Sequence, residues 1–215
     1  QVVRISDILA DNIISESDTV KLYEEAFSLA GGVIREDADY RSIDAGKLAD
    51  TVASISQQIA LGNELLLLLA FTRNSLQTNY LLSHSLNVCI YALRIGQGLN
   101  YDKKQLLELG VSAFLHDIGM AKYLYLASQP RKLSDEEFTQ IKKHPSLGAE
   151  AVAYLKDFGK DAAMACSQHH ERLDGSGYPA GLKGDVVSDY SKIVSIVDVY
   201  EAMTHKRAYR QRFLS

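Results

Sequence analysis

KKQLLELGVSAFLHD, residues 103–117, decides the fold of this 215-residue chain. Its apolar side chains Leu106, Leu109 and Phe114 recur at helical spacing, and the run ends on the neighbours His116 and Asp117. The same period continues on both sides. Residues 45–74 predict one or two helices with Leu48, Val52, Ile55, Ile59 and Leu66 on one face. Residues 80–98 predict another, carrying Leu81, Val88 and Leu93 and closed by Gly96 and Gly98. Ser134 followed by Glu137 forms a capping box for a helix over 134–143, and Pro145 begins the next one, towards Leu155. Residues 161–170 predict a short helix and 191–205 the last. The first forty residues are mixed, with Gly31-Gly32 breaking them. Three prolines, and no Asn-Gly or Asp-Gly turn between alternating strands, argue against a β fold. The predicted class is all-α.

With 47% apolar residues the chain can bury one full core. Residues 1–43 are expected to be an N-terminal helical extension or linker. Residues 44–215 are expected to be the functional domain, with a truncation after the basic run before Ser215 allowed for. A net charge of −4 gives no footprint for long nucleic acid, while a small anionic ligand needs only a few local cations. Cys89 and Cys166 form no CxxC pair, which excludes a cysteine zinc cluster and suits a reducing, cytoplasmic setting. The longest apolar run, Leu65 to Phe71, is too short to span a bilayer, and no signal peptide is visible.

The chemistry rests on few residues. Of six histidines, His169 and His170 lead into ERLDGSGYP (residues 171–179), a loop of spaced glycines and a proline. The side chains of His116 and Asp117 point about 100° apart on a helix. One centre takes both only near a helix terminus; alternatively, Asp117 bridges two metals while His116 binds one. Asp198 interrupts the apolar run Ile193, Val194, Ile196, Val197, Val199, where a carboxylate is costly without a compensating cation or strong hydrogen bonds. Nitrogen and oxygen ligands without thiolate suit iron, manganese, zinc or nickel. A two-metal site generates hydroxide at neutral pH and clamps a phosphoryl group. Taken singly, each residue has an ordinary reading: His84 as a core histidine, His144 as a helix-end cation, Asp198 as a cap, Cys166 as packing. Their order and spacing together carry the case.

That order resembles the HD-GYP family of metal-dependent phosphohydrolases. The resembling blocks are HSLNV at His84, LHDIG from Leu115, KLSDEEFTQIKKHPSLGAE through His144, QHHERLDGSGYPAGLKG from Gln168 and SIVDVYEAMTHKRAYR from Ser195. The resemblance implies an HD-domain-like helical bundle with a metal site in its core, holding two or three divalent ions, usually iron or manganese. It implies hydrolysis of cyclic di-GMP, in some members cyclic GMP-AMP, by a metal-bridging hydroxide. The implied metal ligands are His84, His116, Asp117, His144, His169, His170 and Asp198. Asp117 is the bridge, and it shares the catalytic role with His116. Gly177, Tyr178, Pro179, Arg207 and Arg210 are the implied substrate contacts, with His205 left at the surface. A homodimer and a sensor or receiver domain outside the chain are implied in the same way.

Three positions depart from the family. Met120 stands where a lysine is usual, with Lys122 expected to point elsewhere. Tyr80 stands where some members place a glutamate for a third metal, which favours two ions. Ala208 replaces a common proline. Met120 supports a rival reading, a catalytically impaired domain that binds a cyclic dinucleotide or docks a protein partner.

Overall fold

Ser15 caps the first described helix by accepting the Asp18 N–H, and α1 runs Glu16–Val33. The computed structural model describes residues 15–35, 37, 39–72, 80–155 and 157–204. Gly31 and Gly32 lie inside α1 and do not break it. Glycine costs a helix about 1 kcal/mol. Burying Tyr23, Ala26, Ala30 and Val33 along one face outweighs that cost.

Residues 45–72 form two helices, α2 (Ala45–Ala60) and α3 (Glu64–Thr72), set 113° apart. The corner is Gly62 at φ +77°, a conformation open to glycine at little cost. Together α2 and α3 have the length and composition of a broken membrane span, but Leu48, Val52, Ile55, Ile59 and Leu66 are buried in the core. No single described helix is long and apolar enough to cross a membrane.

The central helix is α4 (Tyr80–Gly98), matching the predicted bounds. Leu86, Val88, Ile90 and Leu93 are fully buried on it, and α1, α2, α3 and α5 (Lys103–Leu115) pack around it. Gly110 of α5 lets α2 come close: a Cβ there would overlap Val52 of α2. After α5 the chain tightens into a 3-10 helix, Ile118–Tyr123, and α6 (Leu124–Ala127). The predicted capping box opens α7 (Asp135–Ile141), and α8 (His144–Val152) carries Pro145 in its first turn. α9 (Gly159–Gln168) and α10 (Asp189–Thr204) complete the bundle, with the Gly-rich loop between them. The described residues form no strand, only an isolated bridge between Asp174 and Lys183. The all-α expectation holds. His205, Ala208, Arg207 and Arg210 lie outside the described residues.

Candidate metal centre

Helix ends do most of the positioning. α5 stops at Leu115, so His116 is its C-cap and Asp117 leaves the helix at φ −103°, ψ 14°. That break lets adjacent side chains meet in one space. His144 opens α8, and His169 is the C-cap of α9. Gly119 holds two of these ends together: a Cβ there would collide with the His144 carbonyl oxygen and approach the Gly148 nitrogen at 2.7 Å.

The residues gather in two groups, Asp117 with His144, His169 and His170, and His84 with His116 and Asp198. Asp117 lies between them. Its Oδ1 is 3.1 Å from His144 Nε2 and 3.4 Å from His169 Nε2, and its Oδ2 is 3.6 Å from His84 Nε2 and 3.7 Å from His116 Nε2. Asp198 reaches His84 Nε2 at 3.4 Å and His170 Nδ1 at 4.0 Å.

The tautomers follow from the far side of each ring. Nδ1 of His116, His144 and His169 meets the carbonyls of Ala113, Ile141 and Cys166 at 2.7, 2.8 and 2.8 Å. A carbonyl only accepts, so each Nδ1 carries hydrogen, and in the neutral ring Nε2 is a lone pair aimed inward. His144 Nε2 and His169 Nε2 then face each other at 3.2 Å beside Asp117 Oδ1. Asp117 Oδ1 and His116 Nε2 are buried without a hydrogen-bond partner. Converging lone pairs and orphaned acceptors need a cation, and this donor set fits divalent metal.

The protonation states agree. Burial opposes the charge of Asp117, but His116, His144 and His169 outweigh it and hold the carboxyl well below the usual range. Burial likewise opposes charge on Asp198, and His84 beside it lowers its pKa. Burial, with the neighbouring histidines, takes His116 down to about 4 and His170 to about 2, so both rings are neutral at pH 7. His84 and His169 are the exceptions: burial opposes charge on His169 too, but Asp117 and Asp198 outweigh it and raise its pKa. For His84 burial would lower the pKa, but Glu201 and Asp198 raise it to about 10, so without metal this ring keeps a proton through neutral pH. Metal must displace that proton. Mn(II) affinity is therefore expected to rise steadily between about pH 6 and pH 9, with protons released on binding. Titration in weakly buffered solution checks this; affinity flat across that range would contradict it.

Two carboxylates escaped the sequence reading. Glu201, fully buried, accepts from His84 Nδ1 at 2.5 Å. Its signal was an acid one turn after Asp198 in an apolar run. Glu171, next to His170, is buried and accepts from the Ala180 and Leu182 N–H groups at 2.7 and 2.9 Å, closing the Gly-rich loop on itself. Within that loop Tyr178 stacks on His170 with ring centroids 4.7 Å apart, and Lys142 Nζ stands 5.3 Å over the Tyr178 ring. Gly177 lies so close to the 170–172 backbone that no Cβ would fit. Pro179 is exposed beside them.

The departures have structural places. Met120 is half-buried against the core, and Lys122 lines a separate cleft of about 490 Å3 with Arg41, Glu150 and Tyr154. The Tyr80 hydroxyl donates to Glu201 at 3.0 Å, and its ring stacks on His84. Cys166 is a packing residue, its thiol 3.3 Å from the Leu115 carbonyl.

Comparison with known proteins places this arrangement. The family model described as "HD domain" matches residues 49–214. A cyclic di-GMP phosphodiesterase of Pseudomonas aeruginosa is 32% identical over 172 residues, 80% of this chain and 41% of that protein. The 3'3'-cGAMP-specific phosphodiesterase 3 of Vibrio cholerae is 33% identical over 132 residues, 61% of this chain and 28% of that protein. The chain thus spans well under half the length of these relatives. Among solved structures, Bd1817, an HDG"Y"P protein of Bdellovibrio bacteriovorus, superposes with a TM-score of 0.76 at 20% identity, covering 95% of this chain and 67% of that one. The sequence match, the helical bundle and the paired His/Asp groups agree: the chain belongs to the HD-domain family, in its HD-GYP branch.

Proposed function

We propose that this domain is a metal-dependent phosphodiesterase that opens a cyclic dinucleotide, with cyclic di-GMP the first candidate and cyclic GMP-AMP the second. The observation that carries the reading is Asp117, with one oxygen facing each histidine group. Two divalent ions fit that geometry, iron or manganese by ligand type. His144, His169 and His170 would hold one, His84, His116 and Asp198 the other, and Asp117 both. When bound, such a pair supplies hydroxide at neutral pH and neutralises charge on a phosphoryl group.

The chain's own residues do the rest. Nδ1–H bonds to the backbone fix the rings, so no reorganisation is needed as charge develops. Asp117 and Asp198 are ionised and supply the negative charge that two dications require. Tyr178, braced on His170, would present an aromatic wall to a base, with Gly177 and Pro179 shaping the loop beside it. Arg207 and Arg210 would fork onto phosphate oxygens. Activity of the relatives as cyclic di-GMP and 3'3'-cGAMP phosphodiesterases supports this substrate class.

Met120 favours one alternative, a domain that captures the nucleotide without fast turnover, since a thioether supplies no cation beside the phosphate. One experiment separates the two. The protein is loaded anaerobically with Fe(II) or Mn(II), mixed with either cyclic dinucleotide, and the products are resolved by chromatography. Linear dinucleotide or mononucleotide is the expected result. Tight binding without product under either metal would establish the alternative.

A further inference from the structure

His84 is oriented differently from the other histidines whose tautomers are fixed. His116, His144 and His169 donate Nδ1–H to carbonyls within four residues on their own chain segment. His84 instead meets the Glu201 carboxylate from α10, 117 positions away in sequence. Glu201 Oε2 also accepts the Tyr80 hydroxyl, and Oε1 accepts the Asn87 side-chain amide at 3.2 Å. The Asn87 oxygen in turn accepts the Tyr23 hydroxyl of α1 at 3.1 Å. Tyr23, Asn87 and Glu201 are all buried, so these bonds face no competition from water.

We propose that Glu201 is a positioning residue of the centre, and that Asn87 and Tyr23 extend its support to α1. The proposal rests on His84 being a metal ligand. A carboxylate behind a ligating imidazole fixes its ring and raises its donor strength. Tyr80, one turn back on α4, places its hydroxyl 3.3 Å from the same Nδ1, but the carboxylate is nearer, at 2.5 Å, and takes the hydroxyl's own hydrogen bond. Helix α1 thereby becomes part of the metal site through one buried chain of side chains, Tyr23–Asn87–Glu201–His84.

The test is Mn(II) titration of the full chain, read by electron paramagnetic resonance as two affinities and a stoichiometry. Glu201→Gln keeps the shape and removes the charge. It is expected to weaken one of the two sites by about 10–100-fold while leaving the other unchanged. A packing role alone predicts wild-type affinity at both. Tyr23→Phe removes a single hydroxyl and is expected to weaken the same site by about fivefold. It carries the test if the Gln variant does not fold, as judged by circular dichroism. His84→Ala serves as the control and is expected to lose one ion. If His84→Ala binds two ions normally, the ligand reading itself fails and the proposal falls with it. If His84→Ala loses an ion but both Glu201→Gln and Tyr23→Phe bind as wild type, only the positioning role is overturned.

Discussion

Asp117→Asn is expected to cost the protein at least about 100-fold in metal affinity and to take hydrolysis to background. The estimate is a lower bound, because losing even an outer partner of a ligand costs about 10–100-fold. The amide keeps the size of the carboxylate but replaces one oxygen with an NH2 group that cannot ligate. It also removes the negative charge that lies between the two groups of histidines, within 3.7 Å of four of them. Neither group keeps an anion from this side chain, and either orientation of the amide turns its NH2 towards one of them. Metal content after gel filtration, with turnover on the same sample, measures both effects. Two ions and normal turnover in Asp117→Asn would remove the basis of the bridging role.

Gly119→Ala is expected to destabilise the metal-free domain by about 3 kcal/mol or more, since the added methyl group lands on main chain that cannot swing away. For a domain of this size that lowers the melting temperature by at least about 6 °C. The neighbours it strikes are the His144 carbonyl and the Gly148 nitrogen, so any relief comes by moving the start of α8. Metal affinity should therefore fall with stability, which a remote core substitution would not cause. Melting curves with and without Mn(II) separate the two effects. A wild-type melting point would show that the 3-10 segment does not sit this close to α8.

Helical spacing made most of the fold legible before any coordinates. Residues 80–98 are the clearest case, because nearly every side is buried and Gly96 lets Leu106 and Leu109 approach closely where α4 ends. Gly31-Gly32 misled for a physical reason: local propensity disfavours them, while burial of the opposite face of α1 against α4 decides the outcome. The histidines and Asp117 were legible as one set because their order and spacing resemble the HD-GYP pattern, and the fold brings them together in two groups. Glu201 was not, since a lone glutamate in a helix reads as a solvated face. Only the fold reveals that it meets a histidine from a distant segment. Tyr23 was hidden for the same reason, its partner Asn87 lying 64 positions along the chain.

The loop that follows His170 is held mainly by bonds to itself. Glu171 takes Ala180 and Leu182, the Tyr178 N–H reaches the His170 carbonyl, Gly175 binds Arg172, Gly184 binds Leu173, and Asp174 holds Ser176. Ties to the rest of the bundle run through Gln168 to Ser188 and Arg172 to Ser195. Residues 168–184 therefore form a largely self-bonded segment that carries His169, His170 and the Tyr178 ring stacked on His170 in one frame. Exchanged between members of the family, such a segment is expected to keep its internal bonds, because few of them reach the rest of the bundle.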